Sequence, residues 1–209
     1  MNRLPLPTVT RLCNIYELLM KLESQSGSFI SSSELALRLG IAAHSIRKDI
    51  SFLGEAGNTG AGYSVERLKG LLRERFAFGE EKRTCVVGLG RIGSAILENS
   101  QFAAGEFKIV AGFDSSINRL ETIKTDVDLF PAYQIAEIVK RLKINFAIIA
   151  VPPSSAQDIA DRLIEGGIKG IVNFAPVVIR TNKDGVFVKN MDIAGELRIL
   201  SALTSNRSV

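Results

Sequence analysis

Cysteine is nearly missing from this 209-residue chain, which carries only Cys13 and Cys85. The first falls on a predicted helix and the second in a predicted buried strand of a different domain. Two thiols so placed build neither a disulfide framework nor a metal site, and they fit a reducing cytosol. Histidine occurs once, at His44, so the larger C-terminal part has no Ser-His or Cys-His arrangement for nucleophilic catalysis, and no metal-ligand cluster is present. No apolar run reaches the roughly 20 residues of a membrane span. The longest, Phe146 to Pro152, has the length of a strand. No secretory signal pattern is visible, and repeats and low-complexity runs are absent. The expectation is a soluble, cytoplasmic protein with no membrane partner. The net charge of +4 divides evenly between residues 1–80 and 81–209. Bulk charge therefore does not mark a nucleic-acid binder, and any such footprint has to come from local clusters.

Hydrophobic residues make up 46% of the chain, enough for real cores, and the length suits two domains. Residues 1–7 are broken by proline and read as extended. Thr8 is a plausible N-cap for a helix in which Leu12, Ile15, Leu18, Leu19 and Leu22 recur at helical spacing, ended by Gly27. Phe29-Ile30 is a short extended piece. Ser31 to Ser33 offer N-caps for a second helix with Leu35, Ala36 and Leu39 on its apolar face, closed by Gly40. A third helix follows from about Ala43 to Leu53. Ile46, Ile50 and Leu53 point inward on it, leaving His44, Ser45, Arg47, Lys48 and Ser51 outward. Two short helices about a glycine turn form a helix-turn-helix. The glycine-rich stretch Gly54 to Tyr63 reads as a hairpin, which makes the module a winged helix. Ser64 caps a fourth helix with Val65, Leu68, Leu71 and Leu72 inward, and Gly79 to Arg83 reads as a polar linker.

From Thr84 onward strands alternate with helices. Strands are expected at 84–88, 108–113, 127–130, 145–151, 170–174 and 185–189, and helices at 91–101, 116–123, 133–143, 155–166 and 192–204. Such alternation implies a mostly parallel sheet covered on both faces. The fold class is therefore α/β: a winged helix-turn-helix domain over 1–80, a Rossmann-like parallel-sheet domain over 81–191, and a C-terminal helical segment over 192–209.

Within this frame Gly88-Leu89-Gly90-Arg91-Ile92-Gly93 lies between the first strand and its helix. Gly88 permits the tight turn, Gly90 lets the backbone approach a pyrophosphate, and Gly93 lets helix and strand pack closely. The helix N-terminus adds free N–H groups for the phosphates. Asp114 ends the second strand at the roughly 20-residue spacing expected of the acid that hydrogen-bonds the adenosine ribose. A carboxylate there repels a 2′-phosphate and favours NAD or NADH over their phosphorylated forms, although Arg119 nearby softens that preference. The loops Ala150-Val151-Pro152-Pro153 and Asn173-Phe174-Ala175-Pro176 follow strand ends and should border the nicotinamide half. Val151, Pro152, Asn173, Phe174 and Ala175 thus join the motif residues and Asp114 as expected cofactor contacts.

On the third helix, Arg47 can take guanine bidentately and Lys48 can serve a phosphate or a guanine. Ser45 and Ser51 can donate to phosphates. Asn58 and Thr59 sit at the wing tip, where glycines let the backbone come close to DNA and Asn58 can read the minor groove. A small NAD-dependent oxidoreductase with a helical N-terminal domain is the alternative. It lacks both a marked acid–base group and a substrate domain, since nothing singles out Lys169 or Lys189 as a proton donor. A CoA-binding domain is a third reading, against which Asp114 favours the ribose of NAD.

Ser-Ile-Arg-Lys-Asp-Ile-Ser-Phe-Leu-Gly (45–54), Gly57 to Tyr63, Gly88 to Gly93, Asn173 to Pro176 and Asn190-Met191-Asp192 occur in one order. In this the chain resembles the Rex family of redox-sensing transcriptional repressors, from about Pro7 to Leu203. The resemblance implies no enzyme activity but a homodimer that binds an A/T-rich inverted-repeat operator when NADH is low and releases it when NADH is high. It implies NADH or NAD held in the sheet domain near the dimer interface. It also implies a C-terminal helix, about Asp192 to Thr204, swapped onto the partner subunit. Arg11 and Asp192 match residues of the family's interdomain network. Asn99 stands where many members carry a switching tyrosine, and Cys13 where proline is frequent.

Overall fold

The computed structural model describes residues 4–22, 28–54, 62–98 and 106–205. The chain separates into two units, Met1–Glu80 and Glu81–Val209.

The first unit is built on α1 (Leu6–Lys21), β1 (Phe29–Ile30), α2 (Ser32–Leu39), α3 (Ala43–Ser51), β2 (Tyr63–Ser64) and α4 (Val65–Phe76). Its core is Leu12, Ile15 and Leu19 of α1, Leu35 of α2, Ile46 and Ile50 of α3, and Leu68 and Leu72 of α4. The opening segment departs from the expectation. The helix starts at Leu6 with Pro5 as N-cap, and Thr8 is a buried residue within it. The prolines are the reason. The first N–H groups of a helix have no intrahelical acceptor, so Pro5 and Pro7 lose nothing there and their fixed φ suits helix entry. The same helix ends at Lys21, and Gly27, expected to end it, lies outside the described residues.

Ser31 caps α2, its side chain accepting from the Glu34 N–H at 3.0 Å, and Gly40 at φ +64° closes it. The tail of α3 tightens: Phe52 and Leu53 donate to the carbonyls of Asp49 and Ile50, three residues back, and Leu53 is half-buried. Residues 55–61 lie outside the described residues, so the expected hairpin is seen only at its end. There β2 pairs antiparallel with β1, Ile30 opposite Tyr63. Gly62, at φ +85°, passes so close to β1 that a Cβ would lie 2.8 Å from the Ile30 carbonyl oxygen. Only glycine fits that approach.

The second unit contains β3 (Lys82–Val87), α5 (Arg91–Glu98), β4 (Phe107–Asp114), α6 (Ile117–Thr122), β5 (Leu129–Pro131), a 3₁₀ turn (Ala132–Gln134), α7 (Ile135–Arg141), β6 (Phe146–Ile149), α8 (Pro153–Gly166), β7 (Gly170–Asn173), β8 (Phe187–Asn190) and α9 (Ile193–Ser205). Lys82 and Arg83, expected in a linker, belong to the first strand. Lys82 bonds Glu106 at 2.7 Å, and Arg83 donates to the Leu142 carbonyl. The six strands are all parallel, in the order β5-β4-β3-β6-β7-β8. The chain turns outward from β3 in both directions, and the gap between the outgoing loops of β3 and β6 is the switch point where such sheets take ligands.

Alternation along β3 explains the layers. Cys85 and Val87 face the larger core with Ile138 of α7 and Ala156 and Leu163 of α8, while Val86 faces the other with Ile96 and Leu97 of α5. Complete burial pushes the Cys85 thiol well above its ordinary range, so it is an inert core residue. No residue of α9 is buried, and Ile193, Leu197, Ile199, Leu200 and Leu203 are exposed.

Candidate functional site

The turn after β3 carries three glycines in three environments. Gly88 has φ +92°, and a Cβ there would lie 2.7 Å from Val151 Cγ1 and as close to the Ala150 carbonyl carbon. A Cβ on Gly93 would collide with the Gly88 carbonyl oxygen. Gly90 faces open space, with nothing within 4 Å of where its Cβ would be. Two glycines are thus consumed by turn and packing, and the third leaves a bare backbone at the N-terminus of α5. That is where a diphosphate would approach.

Asp114 ends β4 beside this turn and is 4% exposed. Its Oδ2 accepts from the Leu89 N–H at 2.8 Å and from Arg119 Nη1 at 2.9 Å, and its Oδ1 from the Ser116 N–H at 2.8 Å. Burial alone would raise its pKa. The hydrogen bonds from Ser116, Arg119 and Leu89 outweigh that and hold the carboxyl below its ordinary value. The group is therefore a fixed anion that ties the glycine turn to the end of the next strand.

A cavity of about 870 Å³ opens over these groups at the carboxyl ends of β3, β4, β5 and β6. Gly88, Gly90, Asp114, Val151 and Pro152 line it. So do Ile117, Arg119 and Tyr133, together with Asp158 and Arg162 of α8, which the motif reading did not single out. Tyr133 lies two residues past the β5 end, so its place past a strand's carboxyl end was the available signal. The residues fit a dinucleotide: a buried carboxylate at the end of β4, a bare backbone turn and an apolar rim.

Other expected contacts fall elsewhere. Leu89 is buried and contributes its backbone, whereas Arg91 and Ile92 are exposed on α5. Asn173 and Ala175 are buried and do not line the cavity. The Asn173 amide donates to the carbonyls of Ala175 and Val177 and to Asn190 Oδ1, and its oxygen accepts from the Ala175 N–H. Asn173 thus shapes its own loop. Phe174 is half-buried against the core under α5.

In the first unit, α3 presents His44, Arg47, Lys48 and Ser51 to solvent, with Ser45 half-buried. Arg47 Nη1 donates to Ser32 Oγ at 3.0 Å, holding the guanidinium at the start of α2. Ser51 donates to the Lys48 carbonyl. Between these residues Asp49 is 1% exposed, and Arg11 of α1 grips both its oxygens, Nη2 to Oδ1 at 2.9 Å and Nε to Oδ2. Arg11, expected in an interdomain network, thus has a partner within its own unit. Asp192 accepts from the Gly195 N–H at 2.8 Å and caps α9. Asn58, Thr59 and Asn99 lie outside the described residues.

Residues 79–177 match the family model described as "CoA binding domain", and residues 3–51 match one described as "Putative DNA-binding protein N-terminus". The chain is 36% identical to the redox-sensing transcriptional repressor Rex 1 of Thermotoga maritima, over 96% of this chain and 95% of the relative. It is 31% identical to the redox-sensing transcriptional repressor Rex of Desulforamulus reducens, over 95% and 94%. Among solved structures, it is similar to RSP in complex with β-NAD⁺ and operator DNA, at TM-score 0.88 and 29% identity, covering 99% of this chain and 95% of that one. It is also similar to RSP in complex with β-NADH, at TM-score 0.82 and 28% identity, over 99% and 97%.

Proposed function

This chain belongs to the Rex family of redox-sensing transcriptional repressors, and from that premise we propose how its residues divide the work. The protein is a transcription regulator, not an enzyme. It binds operator DNA and answers to the NADH/NAD balance. Asp114 holds the adenosine ribose, Gly90 and the start of α5 take the diphosphate, and Val151 and Pro152 flank the path toward the nicotinamide. Arg47 and Lys48 of α3 face the DNA, Arg47 toward a base edge and Lys48 toward the backbone, with Ser45, Ser51 and the wing residues Asn58 and Thr59 beside them.

The operator is an A/T-rich inverted repeat read by a homodimer whose two α3 helices stand about one helical turn, roughly 34–36 Å, apart. The exposed apolar side chains of α9 support its docking on the partner subunit. Asp192, Arg11 and Asn99 are the proposed switch positions. A repressor of this kind works in the cytoplasm, and no helix among the described residues is long and apolar enough to cross a membrane. When bound, NADH supplies a reduced nicotinamide ring as the signal. The protein answers because one arrangement of its domains binds that form better.

The observation that carries the cofactor reading is the buried Asp114 beside the open Gly90. Asp114→Ala should keep operator binding and lose release by NADH, read as anisotropy of a labelled operator duplex. An unchanged NADH response in that variant would remove Asp114 from the cofactor site.

A further inference from the structure

The cavity is uneven. Toward β4 and β5 it is fully furnished: the Gly88–Gly90 turn, Asp114 and Arg119 supply the polar groups, and Ile117 and Tyr133, 52% and 72% exposed, supply apolar faces. Asp114 marks this as the adenosine side. Toward β6 and α8 the cavity is lined by Val151, Pro152, Ser155, Asp158 and Arg162, and the loop Asn173–Val177, which does not line it, has the N–H groups of Phe174, Ala175 and Val177 engaged. The Phe174 N–H donates to the Ile149 carbonyl, the Ala175 N–H to Asn173 Oδ1 and the Val177 N–H to the Ala175 carbonyl, while Pro176 has none. The Asn173 amide is bonded internally as well. A nicotinamide carboxamide therefore finds no donor from this loop, while an adenosine diphosphate finds a formed site.

Resting on the reading that the cavity takes NADH, we propose that ADP is a ligand of this site in its own right. It occupies the half shared by NADH and NAD and lacks the ring that distinguishes them. A ligand without differential contacts to the two protein states moves no equilibrium between them. ADP therefore blocks NADH without releasing DNA, and the repressor reports NADH against the adenine-nucleotide background.

The test uses the full-length protein. NADH fluorescence on binding is followed as ADP is added, and release of a labelled operator duplex by NADH is then measured with and without ADP. ADP should displace NADH, leave the operator bound, and shift the NADH midpoint upward about tenfold at ten times its own Kd. Tyr133→Ala should weaken ADP and NADH by the same factor. NADH binding that ADP cannot displace overturns the inference and leaves the sensor reading standing. Release of DNA by ADP alone also overturns it, because the signal would then lie in the adenosine half. Failure of NADH itself to bind removes the reading beneath it and the inference together.

Discussion

A carboxylate buried to 1% exposure on α3 has to be neutralised, and Arg11 does so from α1, thirty-eight residues away in sequence. Both oxygens are held, so the pair fixes rotation of α3 as well as charge. That rotation is what leaves Arg47 and Lys48 pointing outward. Removing one partner of a buried pair strands the other, at a cost that reaches 3–5 kcal/mol for fully buried pairs. Since Arg11 is 28% exposed, Arg11→Ala should destabilise the N-terminal unit by about 2 kcal/mol. Urea unfolding followed by a probe in that unit should show a lower midpoint with an unchanged slope. A midpoint equal to that of the parent protein would mean the ion pair holds nothing in place. Helical spacing alone groups Asp49 with its charged neighbours. Its burial depends on a partner in another helix, which no local pattern reveals.

At the scale of the element, α3 is a short helix whose inner face is Ile46, Asp49 and Ile50 and whose outer face carries the basic pair. Arg47→Ala should abolish operator binding, measured by anisotropy at fixed salt, and leave NADH affinity in the absence of DNA unchanged. Operator binding at parental strength would take base reading away from α3. Periodicity and glycine spacing made the helices about Gly40 and the alternating sheet legible, because amphipathic spacing and strand alternation record which face is buried. Three features were less so. The start of α1 was hidden by prolines, which are ambiguous between loop and first turn. Lys82 and Arg83 looked like linker because their charges are satisfied by Glu106 and by a carbonyl far along the chain. The cavity was half legible: Gly88, Gly90 and Asp114 follow a spacing rule, whereas Tyr133, Asp158 and Arg162 reach it only through the order of strands. Asn173 reads as a polar loop residue open to a ligand, yet its amide is engaged by its own loop and by Asn190.

For the whole molecule, a sensor of this kind is a coupling free energy between two ligands. Driving the DNA-competent population from nearly full to nearly empty takes about 5.5 kcal/mol of differential binding. By reciprocity the operator must weaken NADH by the same factor that NADH weakens the operator. The central claim is that this chain releases DNA in answer to the reduced cofactor. It is tested most directly by the anisotropy of a labelled A/T-rich inverted-repeat duplex, at one fixed salt concentration, titrated separately with NADH and NAD. The account predicts tight binding, released by NADH at concentrations where NAD leaves it intact. Tight binding indifferent to both cofactors, or no binding under any condition, would contradict it.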